Sequence, residues 1–480
     1  MPVFLYTVGK YSRVTAKTLN DLPPKTAGSA CRIELKHLIQ LAWPLLIAQL
    51  TQMLMGVADT IMAGRYSAND MAGVAIGFSI TMPVLMFVQG IALAIPPTIS
   101  KLRGQNNLSL IANATQQALW TLMFISVLSY VLVLNIDSLL LWVPMASELR
   151  TITTQYVIYV LIAVPAFALY QGTRNFCEGL GQTRPTMLIT LIGLAINVPL
   201  NFLFIYGAYG FPELGGAGCG IATAIVFVIM AALTVGYTAL GKSLSQYSLF
   251  KRIFLPCISE MLATLKLGLP IAMTILFEVT LFSAVALLLA PFGAIAVAAH
   301  QIALNFSALM FMFPLSIGMA VSIRIAFYVG SEQLHKARLS LTTAITLGLC
   351  IAIFTASLTV LARFFIPTWY TTASEVIEYA SPLLLLAAMF QFSDAIQAIS
   401  ANALRGYKDT NAMFIITFIA YWLIGLPVGC ILALTDWIVP ALDARGFWIG
   451  FIVGLSSAAI MLGLRVRIIQ RRFIQQLSMK

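Results

Sequence analysis

The chain has 480 residues, of which 60% are hydrophobic and 9% are charged, whereas soluble domains contain roughly 25% charged residues. This composition, with a mean hydropathy of +0.93, excludes an ordinary soluble enzyme and a disordered chain. The net charge of +11 would suggest a nucleic-acid partner in a soluble protein, so the positions of the basic residues decide what it means.

Twelve apolar segments follow one another along the chain, each long enough to cross a bilayer as a helix of about 20 residues. They run approximately over 37–63, 70–98, 108–134, 151–173, 185–208, 217–240, 261–290, 293–328, 337–366, 379–403, 411–434 and 446–466. The sequence therefore predicts an all-α polytopic membrane protein with twelve transmembrane helices.

The residues before the first segment are basic and polar, without the apolar core or the small-residue cleavage site of a signal peptide. We expect them to form a mobile cytoplasmic tail. Six cysteines are scattered without CxxC spacing, which indicates packing residues and no metal or redox site.

The basic residues orient the twelve segments in the membrane. Threading the segments with both termini on one side places 24 Lys and Arg on that side and only 4 on the other. By the positive-inside rule both termini lie in the cytoplasm. The positive charge is thereby explained by topology, and we expect no nucleic-acid partner.

The chain repeats itself at an offset of 226 residues, which pairs LIQLAWPLLIAQLTQ around Pro44 with TLKLGLPIAMTILFE around Pro270. Six helices per repeat give two parallel six-helix bundles, related by a pseudo-twofold axis along the membrane normal. The predicted divisions are a cytoplasmic N-terminal tail (1–32), an N-lobe (33–241), a cytoplasmic linker (242–260), a C-lobe (261–470) and a cytoplasmic C-terminal tail (471–480).

Three of the 17 acidic residues, Asp59, Glu278 and Asp394, fall inside apolar segments. A charge at that depth costs free energy and usually faces a cavity or a partner. Glu278 and Asp394 lie about 18 Å and 16 Å from the nearest cytoplasmic basic residue at 1.5 Å per residue, near the midplane, and Asp59 lies closer to the outer surface. We predict that all three bind a coupling ion, a proton or a cation; the alternative is a protonated carboxyl hydrogen-bonded to a neighbouring helix.

Aromatic and amide side chains accompany these carboxyls. Phe390 lies one turn before Asp394, and Phe282 lies one turn after Glu278, so each ring shares a helix face with a carboxyl and could hold an organic cation. On the fifth segment Asn197 and Asn201 lie four residues apart and could coordinate a cation or join a proton network. We predict that these four residues line the substrate cleft; packing and interhelical hydrogen bonding are the alternatives.

Enzymatic motifs are missing from the sequence. The three histidines stand alone, and neither an HExxH motif nor a metal-binding aspartate cluster occurs. We therefore expect no enzyme and no cofactor.

Several motifs resemble the multidrug and toxic compound extrusion (MATE) family, in particular its bacterial NorM-type branch. The likeness covers about residues 33–470. It is carried by VADTIMAGRYSANDMAGVAIG, YQGTRNFCEGLGQTRPTM, NVPLNFLFIYG, LFEVTLF, AAHQIALNFSALMFMFPLSIGMA and FQFSDAIQ.

The resemblance implies a twelve-helix antiporter of the bacterial inner membrane that expels lipophilic, often cationic drugs in exchange for inward Na⁺ or H⁺. Asp59 is similar to the family's N-lobe aspartate, and Glu278 and Asp394 are similar to its C-lobe cation-site carboxyls, which would be the Na⁺ ligands. Phe390 stands where some members have tyrosine. We expect a monomer with drugs, organic cations and membrane lipid as its partners.

Two other functions remain open from the sequence. A flippase for lipid-linked precursors of similar two-bundle design should have a more cationic cleft, whereas the placed intramembrane charges are carboxyls. An ion channel would conduct without saturable exchange.

Overall fold

The computed structural model describes residues 24–140, 145–241, 243–247, 249–437 and 439–478, and every regular element within these ranges is helical. One of these elements is a π-helix, Ile419–Gly425. The α-helices are α1 (Pro24–Tyr66), α2 (Ala68–Ala92), α3 (Ile95–Gly104), α4 (Leu108–Leu128), α5 (Tyr130–Leu140), α6 (Ser147–Ile162), α7 (Val164–Gly179), α8 (Thr183–Tyr206), α9 (Ala217–Leu240), α10 (Ile258–Leu288), α11 (Ala294–Gly330), α12 (Leu334–Ala362), α13 (Ser374–Gly406), α14 (Thr410–Phe418), α15 (Leu426–Leu434) and α16 (Ala444–Ser478).

These helices cross a membrane as the apolar segments predict. Among the described residues, eleven stretches are long and apolar enough to span a bilayer, and α6 with α7, bent by 44°, makes up to twelve. The predicted all-α polytopic fold is confirmed.

Prolines interrupt some spans and leave others continuous. Pro96 lies in the first turn of α3, Pro165 in the first turn of α7 and Pro427 in the first turn of α15. A first turn tolerates proline because its N–H groups have no partner within the helix. Pro44 and Pro270, which the repeat pairs, lie inside the continuous helices α1 and α10.

Buried apolar side chains form two cores. One core is built from α2 to α9 with the second half of α1, for example Met55 and Ala63. The other is built from α10 to α16 with the first half of α1, through Leu38, Ala42 and Leu45. We call α1–α9 the N-lobe and α10–α16 the C-lobe; α1 therefore contributes to both cores.

The lobes pack against each other at one end of the molecule, where α1 begins and α16 ends, which we call the inner end because it is the predicted cytoplasmic side. There α2 meets α10, and a methyl group on Gly90 would overlap the backbone of Ala272. Close by, Ser100 Oγ on α3 donates a hydrogen bond of 2.7 Å to the carbonyl of Ile323 on α11. Small residues at this interface permit the close approach of the helix backbones.

The chain ends differ from the predicted tails where they are described. Residues 24–32 form the first turns of α1, and residues 471–478 continue α16. The remainder of the predicted N-terminal tail, residues 1–23, lies outside the described residues. Both terminal helices extend beyond their apolar segments, because polar residues on a helix end need not face lipid.

Two arginines assigned to the cytoplasmic surface are buried. Arg174 is 2% exposed on α7, and Arg405 is 7% exposed on α13. The count of basic residues by position cannot distinguish these from solvated arginines, since both lie only one or two turns from the inner ends of their helices.

The contact at the inner end makes a testable prediction through Gly104 on α3, whose added methyl group would overlap the carbonyl oxygen of Phe327 on α11. We expect Gly104→Ala to separate the inner ends of the lobes. Spin labels on Asn107 and Arg338, in a background without native cysteines, should report a longer distance.

The matched control is Gly236→Ala, because nothing lies within 4 Å of a methyl group at that helical position. It should leave the distance distribution unchanged. A Gly104→Ala distribution that coincides with the control would show that this contact does not hold the lobes together.

Candidate functional site

Asp59 lies in the outer half of α1 within a cluster of hydrogen-bond donors. Its Oδ1 accepts from Nδ2 of Asn197 at 3.1 Å and from Nδ2 of Asn201 at 2.5 Å. Its Oδ2 accepts from Oγ1 of Thr223 at 3.1 Å. The carboxyl is 6% exposed. Three donors on α8 and α9 therefore compensate an ionised carboxylate that has been removed from water.

The two asparagines predicted to line the cleft belong to this cluster. Asn197 and Asn201 are fully buried on consecutive turns of α8, and Nδ2 of Asn201 also donates to Oδ1 of Asn197 at 3.2 Å. Within the described part of the chain, Oδ1 of Asn201 has no hydrogen-bond partner. The pair therefore contacts Asp59 and has no accessible surface for a substrate in this conformation.

Glu278 on α10 and Asp394 on α13 form the second acidic site. The two carboxyls are close enough to interact electrostatically, and Tyr421 in the π-helix lies within electrostatic range of both. Asp394 is 4% exposed, and Glu278 is half-buried. A pair of carboxyls in an apolar interior can be stable only if a proton, a cation or a donor neutralises at least one of them.

Within the part of the chain that the structure describes, neither carboxyl of this pair has a fixed donor. Among the described residues, no hydrogen bond or ion pair reaches Glu278 or Asp394, in contrast to the three donors at Asp59. The hydroxyl of Tyr421 is likewise buried without a partner in the described ranges. The C-lobe carboxyls are therefore available to an exchangeable cation or proton.

A small cavity adjoins Asp394. It measures about 10 Å³ and lies between α11, α12 and α13, with Gln391 and Thr355 in its wall. The amide of Gln391 donates to Thr359 at 3.0 Å, while its oxygen has no partner within the described ranges. A cavity of this size, with oxygen atoms in its wall, accommodates one water molecule or a small ion.

The two phenylalanines predicted to line the cleft pack in an aromatic cluster. Phe390 contacts Trp448 with ring centroids 5.9 Å apart, and Phe282 contacts Phe451 at 5.1 Å. Trp448 and Phe451 are themselves 5.8 Å apart on α16. Since Phe390 is 5% exposed, its ring would have to leave this packing to contact a drug, whereas Phe282 is half-buried.

A histidine that the sequence analysis set aside lies beside this aromatic cluster. His300 on α11 is fully buried, with its ring 6.0 Å from that of Trp448. Neither ring nitrogen has a hydrogen-bond partner among the described residues. Its sequence context is mostly apolar, so a lone histidine there could have been recognised only as a buried polar group.

A buried ion pair in the N-lobe was also missed. Nε of Arg174 lies 2.7 Å from Oε1 of Glu178, and the two side chains are 2% and 1% exposed. A further guanidinium nitrogen of Arg174 donates to Gln49 at 3.2 Å. The spacing of four residues on one helix is the sequence signal for this pair, but its position near a span end made both residues look like loop charges.

The acidic residues therefore fall into two sites on different helices. Asp59 is held by α1, α8 and α9 of the N-lobe, and the Glu278–Asp394 pair is held by α10 and α13 of the C-lobe. The first is a carboxylate with its donors in place, and the second is a pair that needs a mobile counter-ion. Such an arrangement can bind and release cations.

The MatE family model matches residues 44–203 and 270–431, so that one matched segment falls in each lobe. Two relatives are alike over nearly their whole length. The multidrug resistance protein MdtK of Yersinia enterocolitica serotype O:8 / biotype 1B is 46% identical over 441 residues, which cover 92% of this chain and 96% of the relative. The protein of the same name from Yersinia pseudotuberculosis serotype O:1b is 45% identical over 444 residues, with the same coverage.

Solved structures share the fold at lower identity. The eukaryotic MATE transporter AtDTX14 superposes with a TM-score of 0.82 at 20% identity, covering 92% of this chain and 100% of the other. A multidrug resistance MATE family transporter of the MOP superfamily, described in its outward-facing conformation, superposes with a TM-score of 0.83 at 20% identity, covering 92% and 96%.

The Asp59 cluster predicts a coupling that a thermal unfolding series can measure. Asn201→Ala removes a donor from the buried carboxylate and should lower stability by about 1–2 kcal/mol. In the Asp59→Asn background the same change should cost less, because no ionised group then requires the donor.

Asn135→Ala is the matched control, since Asn135 is exposed and, among the described residues, donates only to a carbonyl of its own helix, that of Val131. Its effect should be small in both backgrounds. If Asn201→Ala costs the same with and without Asp59, then the amide does not support the carboxylate.

Proposed function

The chain belongs to the MATE family of multi-pass membrane transporters, and from this premise we propose that it is a secondary active multidrug efflux antiporter. It exports lipophilic, often cationic compounds and takes up Na⁺ or H⁺ in exchange. Multidrug export is supported by the two multidrug resistance proteins that are similar to this chain over almost the whole of both chains. A transporter of this kind moves its substrate unchanged and is not an enzyme.

The observation that carries the antiport mechanism is the pair of C-lobe carboxyls, for which no described residue is a fixed donor. Glu278 and Asp394 interact electrostatically, so ionising both of them without a counter-ion is unfavourable. A bound Na⁺, a proton or a cationic drug relieves that repulsion. Since each of these neutralises the same charges, binding of one lowers the affinity for another.

The cavity beside Asp394 supports a small coupling ion at this site. Its volume of about 10 Å³ is far too small for a drug. In the proposal the drug binds between the lobes and reaches the carboxyls from there. Phe282, half-buried next to Glu278, supplies an aromatic face for the cation.

Asp59 is the N-lobe partner of this site. Its three donors favour the ionised form. Protonation would weaken all three hydrogen bonds and loosen the contacts among α1, α8 and α9. Asp59 thereby links the charge state to helix packing in the N-lobe, with Asn197 and Asn201 as positioning residues.

Alternating access follows from contacts concentrated at one end. Because the lobes meet at the inner end through α2, α3, α10 and α11, the described conformation is closed towards the predicted cytoplasm. Rocking of the lobes would break these contacts and expose the C-lobe carboxyls to the cytoplasm. We place the protein in the inner membrane of a bacterial cell, with both termini in the cytoplasm. We expect it to act as a monomer without a cofactor.

Transport by variants tests the site assignment. Glu278→Gln and Asp394→Asn keep the size of each side chain and remove its negative charge. In proteoliposomes with an imposed ion gradient, each should lower dye efflux by about tenfold or more, which corresponds to loss of at least about 1.4 kcal/mol of stabilisation.

Each variant has a control on the same helix. Glu260→Gln changes an exposed acid on α10, and Glu378→Gln changes an exposed acid on α13, so both should transport at the wild-type rate. Wild-type rates in Glu278→Gln and Asp394→Asn as well would exclude these carboxyls from the mechanism.

The coupling ion is identified by imposing a Na⁺ gradient and a pH gradient separately on vesicles that hold the wild-type protein. Inward flow of the coupling ion should drive dye outward, and the other gradient should leave the rate unchanged. Dye movement that needs neither gradient and does not saturate would contradict antiport.

A further inference from the structure

A crevice of about 480 Å³ opens at the inner end of the molecule, outside both acidic sites. Its walls come from both lobes. The N-lobe contributes Arg103 on α3 and Arg184 at the start of α8, with His37 on α1, and the C-lobe contributes Arg324 and Phe327 on α11. The crevice therefore exists only while the inner ends of the lobes are together.

The charges around the crevice are unbalanced. Arg324 is neutralised by Glu34, whose Oε1 and Oε2 accept from its guanidinium at 2.9 Å and 2.5 Å. In the described part of the chain, neither Arg103 nor Arg184 has an ion pair. Two guanidinium groups thus retain their full positive charge at the same opening.

The guanidinium groups are nevertheless positioned. Arg103 donates to the carbonyl of Leu180 at 2.6 Å and lies 5.6 Å from the ring of Phe327 across the lobe interface. Arg184 lies 5.9 Å from the ring of Trp43. These contacts leave further N–H groups on both side chains available, and a guanidinium binds phosphate oxygens in pairs.

The start of α8 adds backbone donors. Gly181 adopts a left-handed conformation, with φ of +79°, in the turn between α7 and α8. The N-cap residue Gln182 does not cap the helix with its side chain, which accepts instead from the hydroxyl of Tyr237 at 2.6 Å. The N-terminus of this 24-residue helix therefore presents its positive end to the crevice, where an anion is favoured.

We propose that this crevice binds the phosphate group of an anionic membrane lipid and that the bound lipid holds the inner ends of the lobes together. A phosphate suits two guanidinium groups and a helix N-terminus. A lipid is favoured over free phosphate because Leu41, Ile323 and Phe327 line the same opening with apolar surface, and because basic pockets between helices on the cytoplasmic side suit lipid headgroups.

The effect on conformation follows from the two-lobe construction of the crevice. A ligand that binds only the closed inner end shifts the population towards that state. This second step rests on the proposed rocking of the lobes, whereas the binding itself does not. Anionic lipid in the inner leaflet would then stabilise the state that is closed towards the cytoplasm and oppose opening on that side.

Binding is tested on the purified full-length protein in detergent by calorimetric titration with short-chain phosphatidylglycerol, short-chain phosphatidylcholine or inorganic phosphate. We expect saturable binding of phosphatidylglycerol. Its affinity should be about tenfold or more lower in Arg103→Gln/Arg184→Gln, because loss of one charge-assisted hydrogen bond lowers an affinity by about tenfold. Arg184→Gln alone, which leaves the Arg103–Leu180 contact intact, should show a smaller loss.

Lys336→Gln/Arg338→Gln is the control, because these exposed basic residues lie at the same end, on α12, outside the crevice. It should bind phosphatidylglycerol as the wild type does. An equal loss in this control would overturn the site, and inorganic phosphate binding as tightly as phosphatidylglycerol would overturn the lipid assignment.

The conformational step is read from spin labels on Asn107 and Glu332, at the inner ends of the two lobes. Phosphatidylglycerol should narrow the distance distribution towards its short component in the wild type and leave it unchanged in Arg103→Gln/Arg184→Gln. Saturable binding that depends on the crevice arginines but does not narrow the distance distribution would overturn the conformational effect of the lipid and leave the binding site in place.

Discussion

An ionised carboxyl group in an apolar interior must be neutralised by donors, by a proton or by a cation, and the two lobes of this protein meet that requirement differently. Asp59 is surrounded by three donors from neighbouring helices. The Glu278–Asp394 pair has none among the described residues, and Asp394 borders a cavity of about 10 Å³. A carboxylate with fixed donors stabilises the packing of its helices, whereas a pair that lacks its counter-ion must acquire one. Exchange of that counter-ion is the property on which the proposed antiport depends.

The lobe arrangement gives the exchange a direction. Glycines and short polar contacts hold the lobes together at the inner end, and Ala272 of α10 lies in the N-lobe core. The first half of α1 packs on the C-lobe through Leu38 and Leu45, so α1 joins the two units physically. Charge at Asp59, near the other end of the same helix, is therefore connected through α1 to the interface that must open.

Much of the fold could be predicted from the sequence, because apolar runs, positive-inside asymmetry and a fixed repeat offset are local signals. The three intramembrane carboxyls were equally visible, since each is an isolated charge in an apolar run. The pairing of Glu278 with Asp394 could not be predicted, as it depends on how α10 packs near α13. For the same reason Thr223 escaped notice as a donor to Asp59, and Phe390 was expected in a cleft although Trp448 covers it. Periodicity locates a residue along a helix, and only packing decides what it faces.

In the proposed mechanism the coupling ion and the drug compete for the C-lobe carboxyls. Equilibrium binding tests this competition without transport. Affinity for a fluorescent lipophilic cation should be measured on purified protein across a series of Na⁺ concentrations and, separately, of pH. We expect the affinity for the fluorescent cation to fall as the concentration of the coupling ion rises. This dependence should disappear in Glu278→Gln/Asp394→Asn and persist in Glu260→Gln/Glu378→Gln. The same dependence in the doubly substituted C-lobe site as in the wild type would contradict this competition.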